Sequence, residues 1–292
     1  MTGNNTRETD PSQAGIARLC GRAASMRSHP LIVRTARSVL AWMASSILVL
    51  GGSVGAADRG LPTLQPGVLR IGTYFVNPPF EYRAGGKPVG FEVDLVTEVA
   101  RRLGLRPTFV DTRWEVILAQ MEAHRYDCIV GGITITPARQ KTLDYSTPYM
   151  TSTLDIIVNA GRTPQIRSLG DLKDAVVGVQ AATTDYDAAL RMQKAEQIKD
   201  VKVYPFDRMS QAMTDLAAGR ITAVMKVHPV AVWLARQKPG LRVVAHVPHD
   251  PQPLGIGFNK RTPALIAAVD RVLADMKQDG AYERLARKWG VP

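Results

Sequence analysis

From Leu69 onward, short apolar runs alternate with amphipathic helical stripes, and no other feature constrains the fold as strongly. Leu69–Phe75 reads as a strand, Phe91–Leu103 as a helix, Thr108–Asp111 as a strand, Trp114–His124 as a helix and Asp127–Gly132 as a strand. The stripe at Phe91, Val93, Leu95, Val96, Val99, Ala100 and Leu103 has the helical period, and Asp94 in its first turn suits the helix dipole. After Leu154–Asn159 the pattern starts again. Ala175–Gln180, Val201–Pro205, Ile221–Val227 and Leu241–His246 are expected strands. Thr184–Gln193, Arg208–Ala218 and Pro229–Arg236 are expected helices between them. Leu254–Asn259 is a further strand, and Ala264–Lys288 a helical tail broken near Gly280. Two such α/β units predict two lobes, each with a mainly parallel sheet that binds ligands at its strands' carboxyl ends.

The text GGITITPARQKTLDYSTPY (Gly131–Tyr149) combines three features that suit an anion. Gly131 and Gly132 permit close backbone approach. Thr136 is a plausible N-cap for a helix with Pro137 at its first position. Arg139 then offers two parallel donors beside the helix N-terminus, a receiver for a small carboxylate. For a lone arginine the plainer reading is a solvated helix charge.

Formal charge is +11 over 292 residues, unevenly placed. Residues 1–57 carry a net +4, from arginines at 7, 18, 22, 27, 34 and 37 against Glu8 and Asp10, leaving +7 for the rest. No basic run or aromatic-basic interleaving follows, so nucleic acid is not an expected partner. The cysteines are Cys20 and Cys128, and Cys128 sits in an apolar run, which reads as packing. The five histidines form no closely spaced ligand pattern, so neither metal nor cofactor is expected.

From Met26, a second candidate start, three arginines precede an apolar segment around Val39–Leu50, then small residues ending Val54-Gly55-Ala56-Ala57. This is the anatomy of an export signal, with cleavage expected after Ala56 or Ala57. The segment is short for a membrane span, and Ser45 and Ser46 interrupt it; an uncleaved anchor is the alternative. No cysteine at the cleavage region marks a lipoprotein.

Five stretches in order carry a resemblance: LRIGTYFVNPPFEY (Leu69–Tyr82), GFEVDLVTEVARRLG (Gly90–Gly104), GGITITPARQKTLDYSTPYM (Gly131–Met150), LGDLKDAVVGVQAATT (Leu169–Thr184) and DGAYERLARKWG (Asp279–Gly290). Together they resemble the family 3 extracellular solute-binding proteins, which include periplasmic polar-amino-acid receptors of ABC importers. The resemblance implies a two-lobed, type II periplasmic-binding-protein fold with crossings near Leu154–Asn159 and Val244–Pro253. The expected division is leader 1–57, lobe 1 58–157, lobe 2 158–247 and a lobe 1 return 248–292. It implies a periplasmic monomer that hands a small carboxylate to an ABC permease. It implies that Arg139 pairs with the ligand carboxylate, aided by Thr134, Gly131 and Gly132. Trp114 is the expected sandwiching aromatic, Tyr74 and Asn77 contribute from the first-strand loop, and Thr183 and Thr184 from lobe 2, where Ala182 replaces a family glycine.

One departure bears on the ligand. Where the family has an aspartate for the α-ammonium, this chain places Val227. An ammonium buried without its counter-charge loses about 3–5 kcal/mol, so an organic or keto acid is one expectation. An amino acid served by a substitute acid such as Asp185 is the other. Lys226 and His228 could meet a second acidic group, although each alone reads more simply as a solvated charge. A cyclohexadienyl dehydratase-like enzyme is an alternative on this scaffold, disfavoured because Val227, Pro229 and Val230 stand where a proton donor is needed. A third reading is ligand sensing through a chemoreceptor or kinase.

Overall fold

The computed structural model describes residues 60–292; the export signal and its cleavage site lie outside the described residues. The described residues begin with β1 (Val68–Thr73) and a meander of β2 (Val76–Asn77), β3 (Glu81–Ala84) and β4 (Lys87–Val89). Then follow α1 (Phe91–Arg102), β5 (Arg106–Asp111), α2 (Trp114–Glu122) and β6 (Cys128–Ile129). The single-turn α3 (Pro137–Gln140), β7 (Leu143–Tyr145) and β8 (Met150–Ser152) lead to β9 (Leu154–Asn159). The second unit adds β10 (Val176–Gln180), α4 (Thr184–Lys194), β11 (Asp200–Tyr204), α5 (Met209–Ala218) and β12 (Ala223–Val227). Next come α6 (His228–Arg236), β13 (Leu241–His246), β14 (Gln252–Leu254) and β15 (Gly257–Asn259). The chain closes with α7 (Pro263–Gln278) and α8 (Ala281–Trp289).

The strands sort into two five-stranded sheets, β5-β1-β6-β15-β7 and β11-β10-β12-β9-β13. In the first, β1 runs parallel to β5 and β6, while β15 returns antiparallel between β6 and β7. In the second, β10 is parallel to β11 and β12, and β9 is antiparallel to both β12 and β13. The first sheet thus draws strands from both ends of the described residues. The stretch Leu154–Asn159 forms a full strand of the second sheet. Just before it, β8 pairs with β14 in a small ribbon between the sheets.

Physical reasons separate the observed elements from the expected ones. Of the expected strand Asp127–Gly132, Cys128–Ile129 forms β6, Asp127 and Val130 N–H still donate to β1, and the strand stops where Gly131 and Gly132 turn the backbone to φ 155° and 61°. The expected strand Leu254–Asn259 is two strands: Leu254 pairs with Met150 in the ribbon, whereas Gly257 pairs with Tyr145 in the first sheet. The β2–β3–β4 meander carried a signal in Gly85-Gly86, two left-handed glycines that turn a hairpin. Phe91, Leu95, Val96 and Val99 form the buried face of α1, as its stripe predicts. Cys128 is buried, and burial pushes its thiol upward, so it packs and does not react.

Candidate functional site

The end of β6 builds one wall of the site. Gly131 could carry no side chain, because a Cβ there would collide with the Tyr74 ring, and one on Gly132 would press on Phe80 and Asn77. The Gly131 carbonyl accepts the Tyr74 hydroxyl and, at 3.4 Å, the Asn77 amide. Behind it, Gly132 N–H donates to Glu92 Oε2 at 2.8 Å, and the Tyr149 hydroxyl donates to the other Glu92 oxygen. Burial pushes the Tyr74 phenol far above its ordinary range, with the nearby Glu81 and Glu92 carboxyls adding to it.

Arg139 stands on α3 as expected. Thr136 caps that turn, its hydroxyl accepting Arg139 N–H at 3.2 Å, with Pro137 at the first position. The helix has only four residues, so the expected dipole contribution is small, and Thr136 already occupies the amide of Arg139. The anion-binding character therefore rests on the guanidinium itself. Arg139 Nη1 donates to Thr134 O at 2.8 Å, and its carbon sits 5.0 Å from the centre of the Trp114 ring. No carboxylate among the described residues lies within 4.0 Å of it. Burial lowers its pKa, the response of a cation short of solvent and counter-charge.

Lobe 2 closes the other side. Thr183 caps α4, accepting Tyr186 N–H at 3.3 Å and donating to Gln180 O at 2.6 Å, so its hydroxyl is committed to the turn. The first-turn amides of Thr184 and Asp185 have no intrahelical partner. Ala182, in the expected glycine place, adopts φ 59°, a left-handed conformation that costs a non-glycine residue about 1 kcal/mol. Its carbonyl accepts Trp114 Nε1–H at 3.2 Å, a bond between the lobes. Thr134 and Thr184 hydroxyls approach to 3.4 Å, and Trp114 stacks on Phe206 at 5.3 Å and 26°. These contacts describe two lobes closed on each other.

All nine residues singled out from the sequence line one cavity: Tyr74, Asn77, Trp114, Gly131, Gly132, Thr134, Arg139, Thr183 and Thr184. Four more complete it: Asp185, Phe206, Lys226 and Val227. In this closed form the cavity is small, with space for about two waters.

Lys226 corrects the reading of a solvated charge. It is only 4% exposed, and its ammonium donates to Gln180 Oε1 at 2.7 Å and faces the buried Asp185 carboxylate at 3.4 Å. Lysine one residue before the end of a buried strand is the signal for such a group, since its neighbours leave no route to water. His228 does not line the cavity; its ring pairs with Asp155. Phe206 was legible only through the rule that ligands lie beyond strand carboxyl ends, since it follows β11 by two residues.

Comparison with known proteins agrees with this architecture. Residues 69–292 match the family described as bacterial extracellular solute-binding proteins, family 3. The L-cystine-binding protein TcyJ of Escherichia coli K12 is 31% identical over 257 residues, covering 87% of this chain and 95% of its own. A solved ancestral arginine-binding protein bound to arginine superposes with a TM-score of 0.69 at 33% identity, covering 76% of this chain and 98% of its own. An ancestral amino acid-binding protein, a precursor of cyclohexadienyl dehydratase, superposes with a TM-score of 0.67 at 34% identity, covering 76% and 95%. With its two closed lobes and a match across nearly all the described residues, the chain belongs to the family 3 extracellular solute-binding proteins.

Proposed function

We propose that this protein captures a small carboxylate between its lobes in the periplasm and delivers it to the permease of an ABC importer. The observation that carries the reading is Arg139, a partly buried guanidinium on the cavity with no carboxylate partner among the described residues. A ligand carboxylate supplies the missing charge, and the α4 amides reach it only when lobe 2 closes. Closure is therefore favoured by ligand, because only the closed state makes both sets of contacts. TcyJ is by name a cystine-binding protein, and the relatives named above are binding proteins, which supports transport over dehydration. The cavity lining also offers a dehydratase little, since Asp185, its one carboxyl, already faces Lys226.

The lining charges refine the ligand class. Arg139 and Lys226 stand against Asp185 alone, with Val227 where the family aspartate is expected. A ligand with net positive charge adds to an existing excess, so arginine and lysine are disfavoured. We infer a small acid without net positive charge, its carboxylate on Arg139 and a second oxygen-bearing group toward Lys226. Asp185 favours a second reading, an amino acid whose ammonium shares that carboxylate. A thermal-shift panel of succinate, 2-oxoglutarate, pyruvate, L-aspartate, L-cystine and L-arginine separates them. The first reading expects the organic acids to stabilise most. Stabilisation by one amino acid that is lost in Asp185→Asn supports the second, and stabilisation by L-arginine alone contradicts both.

A further inference from the structure

The sequence offered no closely spaced metal-ligand pattern, yet the fold gathers two histidines onto one buried carboxylate away from the cavity. Asp155 lies on β9, the strand between β12 and β13, and is fully buried. His246 is its direct partner in register on β13, and His228 opens α6 immediately after β12. Each imidazole places Nδ1 2.6 Å from a different Asp155 oxygen. The Thr153 hydroxyl adds a third bond at 2.7 Å. No lysine or arginine among the described residues pairs with this carboxylate.

A carboxylate without solvent is costly unless its charge is matched, and among the described residues only the two imidazoles and the Thr153 hydroxyl stand against this one. A divalent cation would match it. The three side chains offer one ligand atom each within 4.8 Å of one another. Both rings reach solvent, at 36% and 59% exposure, so an ion can enter and keep water on its open positions. Two imidazole nitrogens and one carboxylate oxygen suit Zn²⁺ and its borderline neighbours, whereas Ca²⁺ and Mg²⁺ prefer oxygen throughout. Tetrahedral Zn²⁺ with bonds of about 2.0–2.1 Å sets its ligand atoms about 3.3 Å apart. The two nitrogen–oxygen contacts of 2.6 Å, each to a different Asp155 oxygen, would widen by about 0.7 Å. The wider separations, up to 4.8 Å, would close by as much as about 1.5 Å, a movement open to half-exposed rings. Each coordinating nitrogen gives up any proton it holds, and that proton leaves to solvent.

We propose that Asp155, His228 and His246 form a binding site for Zn²⁺ or a similar transition-metal ion at the lobe 2 end of the crossing strands. Asp155 is the second residue of β9, just past β8, and His246 is the last of β13, where Val247 N–H donates to Leu154 O at 2.8 Å. His228 N–H donates to Thr153 O at 2.9 Å, one residue after the cavity-lining Val227. A bound ion thus fastens both crossings to the strand end that meets the ligand.

The test is calorimetric titration of the untagged full chain with ZnCl₂, and separately with CaCl₂ and MgCl₂. The expected result is a saturable Zn²⁺ isotherm whose affinity falls by about tenfold or more in His246→Gln and in His228→Gln, with no comparable isotherm for CaCl₂ or MgCl₂. His249→Gln, an exposed histidine three residues from His246, should leave it unchanged. Circular dichroism confirms that the variants fold. Absence of Zn²⁺ binding, Zn²⁺ binding undiminished in the two variants, or equal binding of CaCl₂ or MgCl₂ would overturn the proposal.

Discussion

The Lys226 ammonium faces the Asp185 carboxylate at 3.4 Å, both side chains buried and both lining the cavity between the lobes. Removing the cation leaves the carboxylate buried and uncompensated. Lys226→Met should therefore destabilise the protein by about 3–5 kcal/mol in denaturant unfolding. Adding Asp185→Asn should recover much of that loss. A double variant as unstable as the sum of the two singles would show that the groups do not interact.

The left-handed Ala182 holds the turn that accepts the Trp114 indole. Glycine takes this conformation without the Cβ clash, at the cost of a more flexible unfolded chain. Ala182→Gly should stabilise the protein by about 0.5 kcal/mol, the difference between these opposing terms. A clear loss of stability in the same unfolding experiment would contradict the strain.

Trp114 and Phe206 join the lobes through their ring stack. Phe206→Ala should weaken ligand binding by about three- to tenfold, corresponding to about 0.5–1.5 kcal/mol for an aromatic pair. Calorimetry with the acid that gives the largest thermal shift checks it, and an unchanged affinity would show that the stack does not favour closure.

Glu81 lies behind the site, fully buried, with neither carboxyl oxygen hydrogen-bonded among the described residues. Burial pushes its pKa well above the ordinary glutamate range, and the Glu92 carboxyl adds to the rise. The folded state therefore holds this proton more tightly than the unfolded chain. Glu81's stabilising term is complete below the unfolded glutamate pKa and is lost as pH rises from there through the raised folded value. Glu81→Gln should gain stability relative to the parent as pH rises above about 4–5. Thermal unfolding across that range measures it, and a pH-independent difference would rule out the raised pKa.

Much of the fold was legible because α1, β9 and β13 have periods and lengths that local chemistry sets. Leu154–Asn159 and Leu241–His246 are observed at the expected bounds. The split of the return strand was not legible, since Leu254 and Gly257 choose partners more than a hundred residues away. All nine site residues read from the sequence face one cavity, because a family motif fixes their place on the two lobes. Lys226 and Asp185 were harder to read. Whether a charged side chain on a strand end faces water or a neighbour depends on what packs over it. The pairing of His228 and His246 through Asp155 likewise exists only in the register of β9 with its neighbours.

The account rests on Arg139 as the carboxylate anchor, and calorimetry of Arg139→Ala tests it most directly. Titration uses the acid that best stabilises the parent protein in the thermal-shift panel. Because the guanidinium has no carboxylate partner among the described residues, the variant loses only the bond to Thr134 O and the contact with Trp114, and it should still unfold cooperatively without ligand. Its affinity should fall by at least about 30-fold, corresponding to about 2–5 kcal/mol for a truncated, partly buried charge pair. A folded Arg139→Ala variant that binds the acid as tightly as the parent would contradict the account.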